Sequence, residues 1–371
     1  MARARAGDDA EALPEADRLE GFPHPRETPV LIGQDAAERA LAAAFAGGRM
    51  HHAWLLTGRE GIGKATLAYR LARHALARPP ERDASGRGSL EVAPETTAAR
   101  QVGALSHPGL LVLRRPYDQR SKRLGTAIPV DEVRRLKSFL GLTGGDDAWR
   151  VVIVDTADDL NINAANALLK SLEEPPVRAL FLLISSEPSR LLPTIRSRCR
   201  RLELAPLGGE DLKGAVQAAL AAAEMEMPVA EQWPLLERLA QGSVRRALQL
   251  AGSGGLELHQ RIEAIFAALP SIDWPAAHTL SDQLAFGAQD QRFQAFYDLF
   301  LDHLAGLVRA GATGGSALAE GLIPQSRLPA WATLWETVLL ERNEAVLLNL
   351  DRKALILGTL AQLEAVARGN G

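Results

Sequence analysis

The stretch His52-Ala53-Trp54-Leu55-Leu56-Thr57-Gly58-Arg59-Glu60-Gly61-Ile62-Gly63-Lys64-Ala65-Thr66 decides the fold. Its first part, His52 to Leu56, is a short, non-alternating apolar run, as in a strand buried on both faces. The second part is a glycine-rich turn that reaches a lysine where a helical pattern begins, with Leu67, Leu71 and Ala75 on one face. Strand, turn and helix in this order form a phosphate-binding loop. Gly58, Gly61 and Gly63 let backbone N–H groups approach an anion, the helix dipole favours negative charge there, and Lys64 is placed to reach β and γ phosphates.

Three further runs have the same character: Gly109 to Leu113, Val151 to Val154 and Leu180 to Ile184. Helical patterns separate them, among them Leu168, Leu169 and Leu172, stopped by Pro175 and Pro176. This is βαβ alternation, and it predicts an α/β domain over residues 25–206 with a parallel sheet and helices on both faces. Strand signals cease after about Leu204, so residues 207–255 are expected to form a small helical unit closed by a Gly252-Ser253-Gly254-Gly255 linker. Residues 256–371 stay helical, and the stripes Phe293, Phe296, Phe300, Leu304 and Trp331, Leu334, Trp335, Val338 read as core or subunit contact. Residues 1–24 read as a mobile tail and 79–104 as an exposed insertion without assigned chemistry.

Composition narrows the chemistry. A formal net charge of −3 over 371 residues gives no bulk attraction to nucleic acid. Cys199 is the one cysteine, which excludes an internal disulfide and a structural zinc site built on two or more thiolates. No apolar run approaches the roughly 18 to 20 residues of a membrane span, so a cytoplasmic location is expected. The basic stretch Arg114, Arg115, Arg120, Lys122 and Arg123 reads as a solvated loop in preference to a DNA-binding surface.

Two positions in the loop chemistry depart from a hydrolytic site. Ser or Thr should follow the lysine to ligate Mg²⁺, and the residue there is Ala65. Thr66 is the next hydroxyl, but one residue along a helix turns its side chain by about 100°. Asp155, at the end of the third run, has the place of a magnesium-holding carboxylate, yet Thr156 follows it, a poor general base at neutral pH. Asp158 reads as a surface aspartate at a helix start. The expectation is a loop that holds ATP or ADP without efficient hydrolysis.

Beyond these motifs, Asn163-Ala164-Ala165-Asn166-Ala167-Leu168-Leu169-Lys170-Ser171-Leu172-Glu173-Glu174-Pro175-Pro176, followed by Ser197-Arg198-Cys199, resembles the AAA+ clamp-loader family. The resemblance implies an AAA+ domain, a helical lid and an all-α C-terminal collar. It also implies that Arg198 is an arginine finger acting on the nucleotide of a neighbouring subunit. Gly242-Ser243-Val244-Arg245-Arg246 resembles the family's sensor 2 segment, which carries that role to Arg245, and sensor 1 falls on Ser185 or Ser186. The implied partners are gamma or tau and delta subunits in a hetero-pentamer, with the sliding clamp and primer-template DNA reached through the complex. The family's four-cysteine zinc module has no counterpart here. The competing expectation is an active, gamma- or tau-like motor; a small-molecule P-loop kinase has no substrate motif to support it.

Overall fold

In the computed structural model, the described residues are 14–82, 89–120, 123–141, 148–252, 254–285, 290–313, 322–348 and 350–369. The chain divides into two compact units, Met1–Arg246 and Ala247–Gly371. The first is built on five parallel strands: β1 (Ala53–Thr57), β2 (Leu110–Leu113), β3 (Arg150–Val154), β4 (Ala179–Ser185) and β5 (Arg200–Glu203). Their spatial order is β2-β3-β4-β1-β5, all parallel. Leu113, Val154, Leu183 and Leu55 lie side by side across four of them. Strands β1 and β4 are buried along their whole length, which is why they lack polar alternation.

The fifth strand escaped the sequence reading. Arg200-Arg201-Leu202-Glu203 is largely exposed on the sheet edge, so its residues resemble a basic run. It is held by the ladder to β1, with Trp54 opposite Arg200, and by the Arg200 guanidinium 4.9 Å from the Trp54 ring centre.

Helix α1 (Asp35–Ala46) precedes β1, and α2 (Lys64–Leu76) follows the glycine-rich turn with Leu67, Leu71 and Ala75 fully buried. Helices α3 (Val130–Gly141) and α4 (Ile162–Glu173) pack together over β2, β3 and β4 through Val133, Leu136, Phe139, Leu168 and Leu172. Asn161 caps α4 by accepting the Ala164 N–H at 2.8 Å. Helices α5 (Gly209–Ala222), α6 (Trp233–Ala240) and α7 (Val244–Gly252) come after the sheet.

Several expectations need correction. The supposed tail is docked from residue 14 on: Asp17 and His24 form a buried pair at 2.8 Å, and Arg114 reaches both Asp17 at 3.1 Å and Glu15 at 2.6 Å. Residues 1–13 lie outside the described residues. Arg114 is therefore no solvated loop residue, and Arg115 pairs with Asp159 at 3.0 Å; Lys122 is outside the described residues. The insertion is packed over part of its length, since Leu90, Ala98, Ala99 and Val102 are buried and the helix Thr97–Gly103 lies on α2; residues 83–88 are not among those described. The glycines after α7 make a close corner: Gly254 has φ +67°, and a Cβ on Gly255 would stand 2.7 Å from the Leu250 Cα. The division between units falls earlier, inside α7.

The second unit is helical in its described residues: α8 (Gly255–Ala267), α9 (Trp274–Ala285), α10 (Asp290–Thr313), α11 (Leu328–Leu348) and α12 (Arg352–Arg368). Helix α10 packs on α8 and α11, and α12 packs on α11 and α9. Phe293, Phe296, Phe300, Leu304, Trp331, Leu334 and Val338 are buried while Trp335 is half-buried, so the first stripe is core and the second is core except at Trp335. No described helix is long and apolar enough to cross a membrane.

Candidate functional site

The glycine-rich turn has the geometry its residues imply. Gly58, Gly61 and Gly63 have φ of 135°, 75° and 100°, a region costly for any residue with a Cβ. At Gly61 space is also short: a Cβ would lie 2.4 Å from the Arg245 Cβ and 2.5 Å from the Ser243 Oγ. The Gly61 carbonyl accepts the Val244 N–H at 2.9 Å, so the loop and the start of α7 are joined directly. Gln34, the residue just before α1, fixes the loop by donating from Nε2 to the carbonyls of Ile62 and Ala205 at 3.0 and 2.9 Å.

Lys64 is buried and its ammonium is fully engaged. It donates to the carbonyls of Gly58 and Arg59 at 2.8 and 2.5 Å and to the Ser186 Oγ at 3.0 Å. Burial brings its pKa down to about 8, against the opposing pull of Glu60, Asp155 and Asp158. Arg245 meets a carboxylate of the same chain, its Nε 3.2 Å from the Glu60 Oε1. Both cations that would face phosphate are thus occupied by oxygens of the chain itself.

Asp155 follows directly on β3 and is buried, with Oδ2 lacking a hydrogen-bond partner among the described residues. Burial and the nearby Asp17 raise its carboxyl to about 7, while Lys64, Arg114 and Arg245 act the other way. A carboxylate so placed suits a metal ion only if other oxygen ligands complete the shell. The first turn of α2 offers the Ala65 methyl instead, and Thr66 is half-buried one position further on. The position directly after Lys64 therefore brings no hydroxyl toward Asp155.

The structure distinguishes the two serines at the end of β4. Ser185 is fully buried and donates its hydroxyl to the Asp158 Oδ1 at 2.5 Å, whereas Ser186 faces Lys64. Asp158 is accordingly no surface aspartate. Its Oδ2 also accepts the N–H groups of Ser186 and Glu187, at 2.6 and 3.2 Å, and so binds the end of β3 to the end of β4. Sequence spacing gave no sign of this, because 27 residues separate Asp158 from Ser185.

Arg198 stands apart from this group. It lies two residues before β5, donates from Nη1 to the Thr194 carbonyl at 3.0 Å, and places Nη2 2.7 Å from the Glu173 Oε1 at the end of α4. Cys199 beside it is partly buried, and burial pushes its thiol up to about 12, far from thiolate reactivity.

A parallel β2-β3-β4-β1-β5 sheet, a glycine-rich loop after β1, an acid after β3, and a helical unit whose arginine returns to the loop define a P-loop domain of the AAA+ class. Residues 33–208 match the family model described as DNA polymerase III, delta subunit. The delta' subunit of DNA polymerase III from Pseudomonas aeruginosa is 35% identical over 73% of this chain and 76% of its own length. The Escherichia coli delta' subunit is 33% identical over 63% of this chain and 65% of its own. A gamma subunit from Buchnera aphidicola is 28% identical over 61% and 58%. The chain belongs to the delta-prime family of DNA polymerase III subunits.

Proposed function

We propose that this chain is a largely non-hydrolysing subunit of a DNA polymerase III clamp loader and that Arg198 acts in trans on the ATP of a neighbouring subunit. It joins gamma or tau and delta subunits in a hetero-pentamer, through which it serves the loading of a sliding clamp onto primed DNA. The second, helical unit acts as the collar of that ring.

The position of Arg198 relative to the sheet carries this reading. Strand β5 runs parallel to β1 with Arg200 level with Trp54, and the phosphate loop begins at Gly58. Four residues of strand rise separate those levels, about 13 Å, and Arg198 lies before β5 starts. An arginine side chain falls short of that distance, which supports a target on another chain over the chain's own loop. A guanidinium remains charged at any physiological pH and can bridge phosphate oxygens as charge redistributes, worth about 10³- to 10⁵-fold in rate in known fingers.

The chain's own site supports the silent half of the proposal. Ala65 and Thr156 remove the metal ligand and the polarising base, and Lys64 and Arg245 bind oxygens of their own chain. Ser186, in contact with Lys64, takes the sensor 1 position. ATP or ADP bound here is not efficiently turned over.

ATP turnover by the isolated chain is the test. Wild type should give none above background, and Ala65→Thr combined with Thr156→Glu should create it. Turnover by the wild-type chain that is lost with Lys64→Ala would instead identify a gamma- or tau-like motor.

A further inference from the structure

Glu173 closes the one conspicuous gap in the arrangement around Arg198. It is the last residue of α4, where the helix dipole is negative, so a carboxylate there works against the helix that carries it. Local helix stability therefore gives no reason for an acid at this place. Its partner does: the Arg198 Nη2 lies 2.7 Å from the Glu173 Oε1, while Nη1 donates to the Thr194 carbonyl at 3.0 Å. The guanidinium is thus gripped from two separate elements, the end of α4 and the turn Pro193–Arg196.

The grip is incomplete in a useful way. A guanidinium has five N–H groups, and the two contacts leave Nε–H and one N–H on each terminal nitrogen for an incoming phosphate. Both side chains are partly exposed, 35% for Arg198 and 48% for Glu173. Solvent screening keeps such a pair weak, so a multiply charged phosphate can compete with it without a large penalty. What the pair supplies is direction: it restricts a long side chain that would otherwise sample many rotamers before meeting its target.

We propose that Glu173 is a positioning residue that holds Arg198 aimed for its action on the neighbouring subunit's nucleotide. This rests on the trans-acting reading of Arg198 given above. It links the two stretches that flank β4, Leu172-Glu173-Glu174-Pro175-Pro176 and Ser197-Arg198-Cys199, as parts of one device.

DNA-stimulated ATP turnover of a loader reconstituted with gamma or tau and delta subunits tests it. Glu173→Ala should lower kcat about three- to fivefold, the equivalent of a weak exposed ion pair, and leave KM for ATP unchanged. Glu173→Asp should recover part of the loss. In an Arg198→Ala background Glu173→Ala should cost nothing more, because there is no finger left to aim. Glu174→Ala, which removes an exposed neighbouring charge without touching Arg198, should behave as wild type. If Arg198→Ala abolishes stimulation while Glu173→Ala is silent or activating, the finger stands and the positioning role is wrong. If Glu173→Ala costs as much without Arg198 as with it, the carboxylate acts elsewhere and the positioning role is again wrong. If Arg198→Ala itself is silent, the trans-acting reading fails first.

Discussion

Replacing Arg114 by alanine should destabilise the first unit although the residue sits 97 and 99 positions from the acids it serves. Its guanidinium lies 3.1 Å from Asp17 and 2.6 Å from Glu15, with side-chain exposures of 22% for Arg114, 4% for Asp17 and 13% for Glu15. Removing one partner of a buried ion pair costs about 3–5 kcal/mol because the other charge is left unpaired. Asp17 keeps His24 and Glu15 keeps Arg26, and Arg114 is not wholly buried, so we expect a loss of about 2–3 kcal/mol. In a unit of this size that lowers Tm by about 5–10 °C. The acid limb of the stability curve adds a second readout. Burial alone would raise the Glu15 pKa, but hydrogen bonds from Arg26 and Arg114 outweigh it and bring the carboxyl from 4.5 down to about 2. The stability this supplies is fully present above about pH 4.5 and is lost as pH falls toward 2. With Arg114 gone that acid-side slope should shrink. Urea denaturation of the full chain at pH 7 and pH 3, with exposed Arg120→Ala as control, measures both effects. A change within about 0.5 kcal/mol at pH 7 and an unaltered acid limb would refute the reasoning.

Asp155→Asn should stabilise the chain at pH 7.5 by about 1–3 kcal/mol, with no gain at pH 4. The buried acid titrates near 7 in the folded chain against an ordinary 3.8, so the unfolded chain releases its proton first and stability falls as pH rises between those values. Urea midpoints at the two pH values decide this, and a loss at both would contradict it. Gly61→Ala should cost about 2–4 kcal/mol, because its Cβ would stand 2.4 Å from the Arg245 Cβ at φ +75°. Gly48→Ala, at φ +63° with nothing within 4 Å, should cost only about 1 kcal/mol; equal thermal shifts would rule out the close-packing explanation. Cys199 should react with iodoacetamide at pH 8 far more slowly than a free thiol, since burial holds its pKa near 12, and a rate like that of free cysteine would argue against it.

Most of the sheet was legible because its central strands are buried on both faces and therefore apolar without alternation, and the loop because three glycines must adopt positive φ. Strand β5 was not, since an exposed edge strand needs no apolar residues and Arg-Arg-Leu-Glu resembles a charged surface run. The docking of residues 14–24 was equally hidden. A segment rich in charged residues and proline reads as unstructured, and only the fold brings Glu15 and Asp17 to Arg114. The same limit applies to the serines after β4: Ser185 and Ser186 are equivalent in sequence until Asp158 claims one hydroxyl and Lys64 the other. Glu173 and Arg198 were both visible within their motifs, but nothing in their spacing announced that they meet.

The claim on which the rest depends is that Arg198 acts across a subunit boundary while the chain's own loop stays silent. The most direct measurement is DNA-stimulated ATP turnover of the reconstituted loader, comparing wild type with Arg198→Ala and with Lys64→Ala and checking assembly by size exclusion. We expect a large loss with Arg198→Ala, little change with Lys64→Ala and intact assembly in both. A loader that needs Lys64 and works without Arg198 would mean that this chain is itself a motor, contrary to our proposal.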